Sequence, residues 1–117
     1  MVDYVTSTFD FIVNVLGYPN VVIEVVTVNG TVISPGQTVA ANVGDTLSIA
    51  VSIKNQGDGP GYCWAQLIRK DTNTIIGSKQ GTTLDPGMST TVSWSWTVPE
   101  ELAGGSVTLE ILAGYTG

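Results

Sequence analysis

The chain has 117 residues, one domain's worth, and is 43% hydrophobic but only 12% charged, with a net charge of −6. That is enough apolar material for one core and too little charge for a disordered chain, and the four scattered cations (Lys54, Arg69, Lys70, Lys79) draw no basic stripe for nucleic acid. The absence of histidine removes Ser-His-Asp and Cys-His nucleophiles and the usual zinc sites.

The opening stretch MVDYVTSTFDFIVNVLG lacks the basic start and cleavage site of a signal peptide, and is too short and polar for a membrane span. As a helix it aligns Val2, Val5, Phe9, Ile12 and Leu16 in one seam, with Ser7 and Asp10 resembling a capping box and Gly17 in the C′ position. As a strand it aligns Val5, Phe9, Phe11, Val13 and Val15, and it is dense in β-branched residues. The seam favours helix, while a donated strand stays open. Either form leaves an apolar face that must be covered.

From Val21 onward the pattern is strands. VVIEVVTV (21–28) meets Asn29-Gly30, a strong hairpin signal, and then TVI (31–33). SPGQ (34–37) turns. TLSIAVSIK (46–54) alternates, with Leu47, Ile49, Val51 and Ile53 on one face. NQGDGPG (55–61) separates it from YCWAQLIRK (62–70), where Cys63, Ala65 and Leu67 share a face. After the turn DTNT (71–74) comes IIGSK (75–79) as a short strand.

LDPG (84–87) turns again. STTVSWSWTV (89–98) then places Val92, Trp94, Trp96 and Val98 on one face, and SVTLEILAG (106–114) closes the set with Val107, Leu109 and Ile111 inward. About seven strands at spacings of roughly 8–12 residues predict an all-β, antiparallel immunoglobulin-like β-sandwich. The predicted division is an arm at 1–19 and a sandwich at 20–117.

VGDTLSIAVSIKNQGDGPG, followed by LDPGMSTTVSWSWTVP, resembles the opening and close of the cell-adhesion-related domain of bacteria and archaea. The resemblance is good over 43–98 and looser over 21–113. It implies a seven-stranded sandwich, usually a module of surface-exposed proteins, and carries no catalytic residues.

Candidate sites are few. The NQGDGPG loop could offer backbone NH groups to an anion, but it lacks the Lys and Ser/Thr of a P-loop and precedes a strand, so a crossover between sheets is the better reading. Trp94 and Trp96 read as core. Tyr62 and Trp64 point the other way and are the candidates for a surface contact, with protein favoured over carbohydrate. Asn29-Gly30-Thr31 is a glycosylation sequon that also serves as a hairpin turn. Cys63 reads as a small buried residue. The ten acids are dispersed, with no calcium loop, so no catalytic, cofactor or metal site is expected.

The expected function is non-enzymatic. One reading is a structural subunit of a virion, a tail or a surface decoration. A chain starting at Met1 without an export signal suits assembly inside a cell. Its contact would be the seam Val2, Val5, Phe9, Ile12 and Leu16, and its partners would be copies of itself, as a homo-oligomer, or other subunits. The alternative is an adhesion or spacer module of a long cell-surface protein.

Overall fold

The computed structural model describes residues 2–117. Seven strands form: β1 (Val21–Val28), β2 (Thr31–Ile33), β3 (Thr46–Asn55), β4 (Gly61–Arg69), β5 (Thr74–Leu84), β6 (Ser89–Thr97) and β7 (Leu109–Thr116). They make two antiparallel sheets, one in the order β2-β1-β3-β6 and the other β5-β4-β7. The fold is the expected immunoglobulin-like sandwich.

Alternation decides which face each strand buries. On β3, Ile49, Val51 and Ile53 are buried, as are Cys63, Ala65 and Leu67 on β4, with Val92 and Trp94 from β6 between them. Trp96 and Leu47 pack partly buried at the margin. The outer face of the first sheet carries the cross-strand pairs Thr46–Thr97, Ser48–Ser95 and Ser52–Thr91, small polar residues with no need of a cover.

The Asn29-Gly30 turn has φ 51° and 82°, the doubly positive geometry that matches strand twist in a two-residue hairpin. Asn29 also ties the turn to β3, its backbone donating to the Ser48 carbonyl and its Oδ1 accepting from the Ser48 amide, both at 2.8 Å.

Three expectations need correction. Residues 2–20 form neither helix nor strand, so the favoured helix at 1–17 does not form over the described residues. An isolated short helix draws most of its stability from packing, and here residues 2–16 are exposed along their whole length. β5 runs to Leu84 rather than ending at Lys79; Gly77 and Gly81 disguised it. A Cβ on Gly77 would meet the Trp94 ring at 2.6 Å, and one on Gly81 would collide with the Cys63 carbonyl. β7 starts at Leu109, so Val107 lies before the strand, and Glu100–Leu102 add one turn of 3-10 helix.

The two lateral sides of the sandwich differ. At the β5/β6 side the Trp94 indole Nε1 donates to the Ser78 carbonyl at 2.8 Å and the Gln80 Nε2 donates to the Ser93 carbonyl at 2.9 Å, so side chains bridge the sheets. At the β7/β2 side, β7 pairs with β4 alone among the described residues.

Candidate interaction site

The root of the arm is built around one buried polar side chain. The inward series of β3 ends at Asn55, which is fully buried. Its Nδ2 donates to the carbonyls of Gly59 and Leu84, both at 3.0 Å. Its Oδ1 accepts from the amides of Gly57 at 2.9 Å and Asn20 at 3.2 Å. Its backbone exchanges hydrogen bonds with Met88 and Gly87. One amide therefore joins the arm, the glycine loop and the β5–β6 turn, with its main side-chain capacity filled.

The glycine loop lies against the arm. Gln56 and Asp58 donate to the carbonyls of Asn20 and Tyr18 at 2.8 and 3.1 Å, a short extension of the β1–β3 pairing. A Cβ on Gly57 would collide with the Tyr18–Asn20 backbone and one on Gly59 with the Gly17 carbonyl. The loop glycines thus allow two backbones to touch, and the loop is a structural crossover. The sequence reading placed Asn55 in the crossover loop, without a buried role. Continuing the inward series Ile49, Val51, Ile53 by two residues would have placed it in the core.

Beyond this root the arm is bare. Val2, Val5, Phe9, Ile12 and Leu16 are all exposed, with Phe9 at 87% and Ile12 at 96%. Phe11, Val13 and Val15 are exposed as well. Without a helix, the spacing of three and four defines no common face. The molecule measures 91 × 26 × 20 Å, and the arm accounts for the long dimension. An extended chain advances at most about 3.6 Å per residue, so residues 2–17 reach roughly 50 Å.

Some inward-facing residues lack a cover. Ile23 pairs with Ile53 and so faces the core, yet it is 41% exposed. Tyr115 pairs with the buried Cys63 and is also 41% exposed. On β7, Leu109, Ile111 and Ala113 are half-buried, while Cys63, Ala65 and Leu67 on neighbouring β4 are buried.

On the outer face of the second sheet, Tyr62 is 42% exposed and Trp64 is half-buried. Trp64 lies between Gly81 and Gly114, and a Cβ at Gly114 would sit 3.0 Å from its Cζ2. Lys79 Nζ stands 4.2 Å over the ring centroid, a cation–π contact. The cover of Trp64 thus comes from Lys79, and that ammonium occupies a face on which a sugar ring would stack. Asn29 is exposed, with its Oδ1 engaged by β3.

Burial pushes the Cys63 thiol up, against a weaker opposing contact with the Leu84 backbone, and its Sγ lies 3.4 Å from the Gly61 carbonyl. Arg69 grips Asp71 through Nε and a terminal nitrogen at 2.8 and 3.0 Å, and lies 3.6 Å from Glu101. That hydrogen bond holds the Asp71 carboxyl below its ordinary range. Among the described residues no group of three acids or cysteines converges to hold a metal ion. No helix among them is long and apolar enough to cross a membrane.

The fold and the Asn55 crossover define an immunoglobulin-like module of the cell-adhesion-related kind. The CARDB family model matches residues 10–116, and the chain belongs to that family. No curated protein and no solved structure matches the chain.

Proposed function

We propose that the chain is a non-enzymatic structural module of a cell-surface assembly. The sandwich is the displayed body, residues 20–117, and residues 1–19 are a linking arm that contacts neighbouring protein. The observation that carries this reading is the family membership, a cell-adhesion-related module, over nearly the whole chain. The bare apolar arm supports a role in assembly, because a contiguous exposed apolar surface marks a contact site. The family favours this reading over a virion or tail subunit.

Antibody labelling of intact source cells, set against purified particles, tests it. Label on unpermeabilised cells is the expected result. Label confined to released particles would move the module to a virion, and label found only after lysis would contradict surface display.

A further inference from the structure

We propose that Asn29 is a carbohydrate-attachment site, bearing an N-linked glycan on its Nδ2 at the tip of the β1–β2 hairpin. The proposal rests on the reading of the sandwich as a displayed body, because such transfer meets proteins on their way to the surface, and it adds a modification which that reading does not contain.

Asn29-Gly30-Thr31 is the one Asn-x-Ser/Thr triplet among the six asparagines of the chain. Turn chemistry accounts for part of it. Among the described residues, Asn29 and Asn73 are the two of positive φ other than glycine, at 51° and 54°, a region that asparagine tolerates. Both are exposed. Two positions beyond Asn73 stands Ile75, whereas two beyond Asn29 stands Thr31. One turn therefore carries the hydroxyl that the transfer requires and the other does not.

The side chain of Asn29 is already set for attachment. Its Oδ1 accepts from the Ser48 amide and its backbone NH donates to the Ser48 carbonyl, both at 2.8 Å. With the oxygen held against β3, the nitrogen of the same planar amide is directed away from that strand. Neither Nδ2 nor the Thr31 hydroxyl makes a hydrogen bond among the described residues. Substitution at Nδ2 leaves Oδ1 an acceptor, so the tie to Ser48 survives in the product.

Space and chemistry at the tip suit a sugar. A Cβ on Gly30 would have nothing within 4 Å. Beside the hairpin runs an open groove of about 290 Å³, lined by Asn29, Thr31, Gln37, Thr38 and Asp45 together with apolar side chains such as Leu47. Gln37 Oε1 and Asp45 Oδ2 accept from the Ser34 and Asn42 amides at 3.0 and 2.8 Å, which fixes both side chains. The Gln37 amide nitrogen and the second Asp45 oxygen remain for sugar hydroxyls.

The site lies away from the arm. β1 begins at Val21, next to the arm root, and ends at Val28, next to Asn29. Eight strand residues at about 3.3 Å each separate the two by roughly 26 Å, so a glycan at the tip leaves the Asn55 root untouched. It also shields β2, the three-residue edge of the first sheet, where Val32 is exposed.

The transfer is redox-neutral, and a lipid-pyrophosphate-linked oligosaccharide supplies the sugar. A bond forms from Nδ2 to the anomeric carbon, and the bond from that carbon to the pyrophosphate oxygen breaks. Lipid pyrophosphate leaves, and Nδ2 gives up one proton.

The test is the intact mass of the chain purified from its source cells, with fragmentation to locate any added mass. The proposal expects one glycan, on Asn29, and an unmodified Asn73. Thr31→Val, made in the same cells, should lose the glycan and keep the fold, since both residues suit a strand. Asn29→Asp should lose it too, while keeping an oxygen for the Ser48 amide. A wild-type chain of bare sequence mass, a glycan found only on other residues, or one that persists in Thr31→Val would each overturn the proposal. Cell labelling keeps the two readings apart. Surface label on a chain of bare mass removes the glycan and leaves display standing, whereas bare mass with label only after lysis removes both.

Discussion

Asn20 donates its backbone NH to the buried Oδ1 of Asn55 at 3.2 Å, so the arm hangs from the interior of the sandwich rather than from its surface. Replacing Asn55 with Ala strands the carbonyls of Gly59 and Leu84 and the amides of Asn20 and Gly57. A loss of about 2–4 kcal/mol in urea unfolding is expected. Asn55→Asp should also destabilise, because it sets a carboxylate oxygen against two carbonyls. A loss below about 0.5 kcal/mol for Asn55→Ala would show that water replaces the amide.

Gly59→Ala tests the contact between loop and arm. The added methyl meets the Gly17 carbonyl, a backbone atom with no easy escape. The expected cost is about 1–3 kcal/mol, with faster amide exchange at Asp58, whose NH is held by Tyr18. Gly105→Ala is the control, since its Cβ would meet only the Leu102 carbonyl at 3.5 Å. Equal stability of the two variants would contradict the close approach.

The closed lateral side depends on Trp94. Trp94→Phe keeps most of the ring but loses the indole hydrogen bond to Ser78. About 1–2 kcal/mol should be lost in denaturant unfolding. Gly77→Ala drives a methyl to 2.6 Å from the same ring and should cost at least as much. If both variants unfold like wild type, the ring does not hold this edge.

Acid stability carries a local signature. The Arg69 hydrogen bond depresses the Asp71 pKa in the folded state, so the folded chain binds fewer protons there than the unfolded one in the acid range. The resulting stabilisation is present above the unfolded aspartate value of about 3.9 and is lost as pH falls through the lower folded value. Asp71→Asn should therefore flatten stability against pH below about 4, most visibly at low salt because the pair is solvent-facing. An unchanged slope would exclude the pair as a contributor.

The body of the sandwich was legible because period-two alternation is local: Ile49, Val51 and Ile53, and Cys63, Ala65 and Leu67, fell on the buried faces as read. The Asn29-Gly30 hairpin was legible for the same reason, since two positive φ values exclude most residues. The second half of β5 was hidden because Gly77 and Gly81 answer to neighbours far away in sequence, Trp94 and Cys63, and not to strand propensity. The arm's conformation was not legible, because Val5 and Phe9 fit both a helical seam and a strand face, and residues 2–20 take neither form. The place of β7 beside β4 depends on strand order, a long-range property that no local pattern contains. Tyr62 and Trp64 were placed on the outer face correctly, while Lys79 over the ring had no sequence signal.

Amide hydrogen exchange of the full chain, followed residue by residue, tests most directly whether the arm is tied to the body at its root alone. The account predicts slow exchange at Gln56 and Asp58, whose NH groups are held by the Asn20 and Tyr18 carbonyls, and fast exchange throughout residues 2–16. Protection within residues 2–16 of the isolated chain, or fast exchange at Gln56 and Asp58, would contradict it.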